Sequence, residues 1–381
     1  MKNHYIARFR DESLAAIFVR NNTVMIKLNK NGRWENEQPL HKGSAIFSAD
    51  FDKIGNLCLF AQDADNDIVL IAHNGNKFSA RKLLKSPAEL RYSMRVYSMQ
   101  SSALVYNIPA EDNKFKLIRQ TATKEGWESP TEITVFSPPP AIPSFLFEMQ
   151  SLGPAHSLVF YNAENNLIGY REISPADICA FVPMQRHNET IVDYNFLTVK
   201  SGVHALFVSA NMFRQRLMYT KKISAKLSEP VVLWEGPRIE NCLLSEIKGE
   251  MWAFWSVGES LYVAKSKDGI FQKAAVYTQK FCKKPQKAFY ISDTPSENYF
   301  TRAVYVDSEH PWDVQILPDI FSDFYPQSKA PEIPLPPPAE PENTDYEERL
   351  TLTLKHAKKL REENFRLKEE IEKLRKNGDH L

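Results

Sequence analysis

The chain has 381 residues, 43% hydrophobic and 25% charged, which is ample for two or three domains or one large repeat fold and excludes wholesale disorder. Its 48 basic and 47 acidic side chains leave a net charge of +1, so no bulk field exists to hold a polyanion and nucleic acid is not an expected partner.

At the amino terminus the apolar run from Leu14 to Val19 follows Arg8, Arg10, Asp11 and Glu12, charges that spoil a signal-peptide core, so a cytoplasmic protein is expected. No stretch approaches the roughly 18 uninterrupted apolar residues of a spanning helix, so membrane insertion is not expected. Cys58, Cys179, Cys242 and Cys282 show no CxxC spacing and read as buried reduced thiols.

Along the chain one pattern recurs, three residues and then an aromatic: Ala15 to Phe18, Leu57 to Phe60, Ala103 to Tyr106, Ser157 to Phe160, His204 to Phe207, Met251 to Phe254 and Arg302 to Tyr305. The aromatics are 42, 46, 54, 47, 47 and 51 residues apart. A second apolar run follows each of them, beginning at Val24, Ile68, Phe115, Leu167, Leu217, Leu261 and Val314, and turn formers such as Asn21-Asn22 and Asp65-Asn66 lie between. Runs before and after these pairs bring the count to about four strands per period. Such repetition predicts an all-β fold, a seven-bladed β-propeller of four-stranded antiparallel blades over residues 1–321, because each sheet buries its faces only against its neighbours. The last blade lacks a convincing fourth strand, and tandem β-sandwiches are the competing architecture.

The turn after the third strand repeats in places, as Asn31-Gly32-Arg33-Trp34, Asn74-Gly75-Asn76-Lys77-Phe78, Glu125-Gly126-Trp127 and Asp268-Gly269-Ile270-Phe271. The glycine supplies the positive φ of a tight hairpin, and the aromatic is expected to pack between blades. Through these turns the chain resembles the Asp-box propellers of sialidases and of some sugar-binding lectins. The resemblance implies a propeller that recognises or processes sugars. Asp268 and Gly269 are adjacent, whereas the Asp-box places one residue between them, and no Arg-Ile-Pro element occurs, so sialidase activity is not carried over.

The first strand of a propeller blade lines the central channel, and alternation then places Arg8, Arg10, Asp50, Asp52, Glu148, Gln150, Asp193, Asn195 and Ser292 along it. Carboxylates and guanidinium groups in a polar channel suit a sugar, a nucleotide or an acidic peptide, but equally one another as ion pairs. A glycosidase needs two carboxylates at roughly 5–10 Å, and spacing alone selects no pair. Trp252 and Trp255 lie in a predicted strand, Trp34 and Trp127 read as wedges between blades, and Trp312 reads as exposed. No metal-ligand spacing, phosphate loop or nucleophile elbow is present, so neither a cofactor nor a metal is expected, and the chain reads as a non-enzyme.

Residues 322–343 are a proline-rich linker, with Pro336-Pro337-Pro338 at its centre, read as an extended polyproline spacer. Residues 344–377 carry a heptad seam, with Leu350, Ala357, Asn364 and Ile371 at positions a and Thr353, Leu360, Leu367 and Leu374 at positions d; residues 378–381 are a tail. A lone Asn at a favours a parallel in-register dimer, and Glu363 with Lys368 and Glu370 with Arg375 support the same orientation. A trimer and a heterodimer half are the alternatives. The expected molecule is a non-enzymatic binding or scaffold protein presented bivalently, with a copy of itself and an unidentified protein or glycan as partners. A lectin-like propeller is the alternative, followed by a propeller glycoside hydrolase.

Overall fold

The computed structural model describes residues 4–315 apart from short internal stretches, the longest at 85–92 and 138–146. The linker, the heptad seam and the tail lie outside the described residues, as does Cys282; of the other cysteines, expected to be buried, Cys242 is buried, Cys58 half-buried and Cys179, which follows the loop after Leu167–Ile173, exposed.

Among the described residues the regular structure is β-strand, save for 3-10 conformation at Glu111–Asn113 and at Glu297. The strands form consecutive antiparallel meanders over residues 5–42, 47–84, 93–136, 147–186, 190–236, 240–276 and 285–315. Their first strands are Tyr5–Arg8, Phe47–Phe51, Ser93–Ser98, Phe147–Leu152, Thr190–Val199, Glu240–Ile247 and Pro285–Ser292. This sequential order is consistent with a β-propeller. Tight turns fix it locally: Asn21-Asn22 and Asn31-Gly32 both hold positive φ at the two central positions of two-residue hairpin loops, where asparagine and glycine tolerate the left-handed region best.

Each meander buries its faces against the next. One core joins the first and second meanders through Ile17, Ile26, Phe47 and Leu59; others join the second and third through Phe60 and Tyr106, and the third and fourth through Leu117 and Phe147. Tyr161 and Phe196 link the fourth and fifth, Leu206 and Trp255 the fifth and sixth, and Phe254 and Tyr305 the sixth and seventh. The last cluster, around Ile6, Phe18, Tyr290 and Val304, joins the seventh meander back to the first. Burial of apolar surface between sheets, at about 25 cal/mol per Å², is therefore the main force holding them.

A parallel ladder adds hydrogen bonds at this junction. Tyr5 to Arg8 pair with Phe289 to Ser292, so the first and last meanders share one sheet. The last meander has three strands among the described residues, Pro285–Ser292, Ala303–Asp307 and Val314–Gln315.

The recurring aromatics all sit on the second strand of their meander and are buried, but they do not all face the same way. Phe18, Tyr106, Phe160, Phe207 and Tyr305 pack on the preceding meander, whereas Phe60 and Phe254 pack on the following one. A strand changes face with every residue, so a repeat aligned on aromatics alone is one residue out of step in the second and sixth units.

The aromatics that follow the third-strand turns are more regular. Trp34, Phe78, Trp127 and Phe271 each pack against the core shared with the preceding meander, and each is half-buried. Trp252 and Trp255 are buried in the strand Glu250–Val257. Trp312, read as exposed from sequence, is half-buried: its ring centroid lies 5.8 Å from that of Phe18, with Lys27 Nζ 3.8 Å above the indole.

Candidate functional site

Four polar residues of the first strands, Glu148, Gln150, Asp193 and Asn195, face a neighbouring first strand. Glu148 and Gln150, on Phe147–Leu152, reach the adjacent first strand Thr190–Val199: Thr198 N donates to Gln150 Oε1 at 2.6 Å, Phe196 N donates to Glu148 Oε2 at 3.5 Å, and Gln150 Nε2 donates to Phe196 O. One meander further on the device repeats. Cys242 N donates to Asp193 Oδ2 and Leu244 N to Asn195 Oδ1, both at 2.8 Å. Each pair of side chains, two residues apart on one face, thus caps two amides of the next first strand.

The two staples touch. Asn195 Nδ2 lies 3.3 and 3.2 Å from the two Glu148 carboxyl oxygens. Lys287, from the first strand of the seventh meander, places Nζ 2.9 Å from Asp193 Oδ1, 3.3 Å from Tyr194 O and 3.1 Å from Cys242 O. Its side chain has no solvent exposure. Burial opposes the ammonium charge, yet the carboxylates of Asp193 and Glu148 hold its pKa above the ordinary lysine value. Burial pushes the Glu148 carboxyl up to about 7, against the pull of Lys287 and the Asn195 hydrogen bond. The Cys242 thiol is raised well above its usual range by burial and then by Asp193, so it is not a nucleophile at neutral pH.

Arg8 and Arg10 stand at the end of the first strand. Arg8 Nη1 pairs with Glu297 Oε1 at 3.2 Å, Tyr290 OH donates to Glu297 Oε2 at 2.7 Å, and the more exposed Arg10 pairs with Asp293 at 3.1 Å. Asp50 Oδ1 accepts from Phe51 N at 2.9 Å. Asp52 closes its hairpin turn, accepting from Ile54 N, Asn56 N and Asn56 Nδ2 at 2.8–2.9 Å. Ser292 Oγ accepts from Thr294 N at 3.0 Å. The structure thus brings Glu148, Gln150, Asp193 and Asn195 together; Arg8, Arg10 and Ser292 gather at another junction, and Asp52 holds its own turn.

Two clusters escaped the sequence reading. Asp63, Asp65 and Asp67 converge in the turn between Leu57–Gln62 and Ile68–His73, with ligand atoms within 4.8 Å of one another. The Lys82 ammonium occupies that position, 3.0 Å from Asp67 and 3.2 Å from Asp63, and hydrogen bonds to these two carboxylates raise its pKa. The alternating Asp-x-Asp-x-Asp spacing was the available signal.

The second cluster joins Ser201 Oγ to His204 Nε2 at 3.0 Å and His204 Nδ1 to Tyr219 OH at 2.6 Å. It has the outline of a nucleophile and its base, but the buried phenol needs an acceptor. Tyr219 O–H therefore donates to Nδ1, which leaves the Nε2 hydrogen pointing at Ser201. Burial, with help from Lys221, lowers the His204 pKa to about 4. A neutral imidazole in this tautomer holds the serine and does not deprotonate it.

No protein-family model matches the chain, and no curated protein matches its sequence. Solved structures similar in fold include an Aleuria aurantia lectin in complex with Fucalpha1-6GlcNAc, at 8% identity, covering 72% of this chain and 94% of that one with a TM-score of 0.44. The SapL1 lectin in complex with alpha methyl fucoside is similar at 12% identity, 73% and 98% coverage and a TM-score of 0.43. A subtype N10 neuraminidase-like protein of A/little yellow-shouldered bat/Guatemala has 9% identity, 66% and 90% coverage and a TM-score of 0.41.

Proposed function

We propose that the chain is a non-catalytic binding protein, a seven-bladed propeller whose ligand is a glycan held at the boundaries between sheets. The observation that carries this reading is the recurrence of half-buried aromatics at equivalent boundaries, Trp34, Phe78, Trp127 and Phe271. Two of them pack on a buried polar ring, Phe78 on His73 with centroids 4.4 Å apart and Phe271 on Tyr219 at 4.7 Å. An aromatic face at each boundary is the chemistry that packs on the C–H side of a sugar ring. Glu148 and Asp193 are engaged with backbone amides, Asn195 and Lys287, which favours binding over glycoside hydrolysis. A glycan array probed with the purified chain tests this. Selective binding that falls in Trp34→Ala and Trp127→Ala supports it, whereas a blank array with folded protein contradicts it.

Residues 344–377 are proposed to pair two chains through Leu360, Asn364, Leu367, Ile371 and Leu374. Two heads on one dimer raise avidity for a repetitive target without any new contact. Sedimentation that finds only monomer contradicts this part of the proposal.

A further inference from the structure

One end of the fifth and sixth meanders combines exposed aliphatic side chains with an excess of lysine. The turn between Thr190–Val199 and Gly202–Ala210 carries Lys200, the end of Gln215–Ile223 carries Lys221 and Lys222, and Lys226 pairs in register with Ile223. Lys267 and Ile270 face each other across the corresponding turn of the sixth meander. The two ends are adjacent, for a Cβ built on Gly269 lies 3.4 Å from Lys221 Nζ. Val231 and Val232 open the outer strand Val231–Gly236 opposite Tyr219 and Met218, midway along Gln215–Ile223.

Two large aliphatic residues are open at this end, Ile270 at 75% exposed and Ile223 at 48%. Lys200 faces Glu246 electrostatically and Lys222 Nζ lies 5.8 Å from the Tyr170 ring centroid, while Lys221, Lys226 and Lys267 are in no salt bridge among the described residues. The acidic residues described at this end are Glu229, Glu246 and Glu250, and Glu250 is taken by Lys265.

We propose that this end of the fifth and sixth meanders docks on an anionic lipid bilayer, with the lysines at the headgroups and Ile223 and Ile270 entering the acyl boundary. Charge complementarity selects an anionic partner. Isoleucines at separate turn tips, ringed by lysine, fit a yielding interface better than a flat protein surface, which needs a continuous apolar core. The contact is peripheral: no described helix is long and apolar enough to cross a membrane, and none is required.

Sedimentation of the full chain with phosphatidylcholine vesicles, with and without phosphatidylserine, tests the proposal, because these vesicles carry no glycan and so leave the sugar reading untouched. Binding is expected only with phosphatidylserine and should weaken as salt rises. Lys221→Glu with Lys222→Glu should lower the affinity about a hundredfold, and Ile223→Ser with Ile270→Ser roughly tenfold. Lys116→Glu, on the strand Phe115–Thr121 of the third meander, should leave it unchanged. In Ile270→Trp, vesicles should shift the added emission to the blue, and brominated acyl chains should quench it. Absence of phosphatidylserine-dependent binding, binding indifferent to both double substitutions, an unshifted Ile270→Trp emission, or capture of an acidic protein without vesicle binding would each overturn it.

Discussion

Lys287 and Asp193 lie 2.9 Å apart across a sequence separation of 94 residues, joining the first strands of the seventh and fifth meanders over that of the sixth. The ammonium also bonds Tyr194 O and Cys242 O, so one side chain ties three strands. Removing it strands a buried carboxylate. Lys287→Met is expected to cost about 3–5 kcal/mol in urea unfolding, and adding Asp193→Leu should recover part of that loss. Recovery stays incomplete because Cys242 N then lacks its acceptor.

Glu148 makes stability depend on pH. Burial raises its folded pKa to about 7, above the ordinary glutamate value of 4.5, so the folded state binds the proton more tightly than the unfolded one. Its contribution is fully present below the unfolded pKa and is lost as pH rises to about 7. The span corresponds to about 3 kcal/mol at 1.36 kcal/mol per pH unit. Glu148→Gln should flatten this limb, measured as the difference in unfolding free energy from wild type between pH 4.5 and pH 8.

Gly169 sits where its strand passes Phe181. A Cβ there would lie 2.2 Å from Phe181 Cζ and 2.6 Å from Val182 O, and the backbone oxygen cannot rotate away. Gly169→Ala is therefore expected to destabilise the fold by about 1–3 kcal/mol through overpacking, read as a lower thermal midpoint.

Ile6 is fully buried in the cluster between the first and seventh meanders, on a strand that pairs in parallel with Tyr290. Ile6→Ala should cost about 2–5 kcal/mol, far more than truncation of an exposed side chain such as Ile54. Equal effects of the two substitutions would show that the first and seventh meanders are not joined at the core.

Local signals carried most of the fold, because turn chemistry and period-two alternation are written into adjacent residues. Asn31-Gly32 announces its hairpin, and Trp34 its place against the neighbouring sheet. Pairings between distant strands have no such signature. Nothing near Lys287 signals Asp193, and nothing in Tyr5–Arg8 announces a parallel ladder with Phe289 to Ser292. Alternation identified Asp193 and Asn195 as one face of a strand; the destination of that face, the amides of Cys242 and Leu244, depends on how tightly the next strand packs. The bulge between Ile191 and Asp193, which sets their phase, is likewise tertiary.

The most direct test compares glycan binding per folded molecule in wild type, Asp193→Asn and Trp127→Ala, using a sugar selected from the array. Asp193→Asn should unfold more easily yet bind as wild type does, while Trp127→Ala should lose at least about tenfold in affinity. Loss of binding in folded Asp193→Asn with Trp127→Ala unaffected would place the ligand among the first strands and contradict the account.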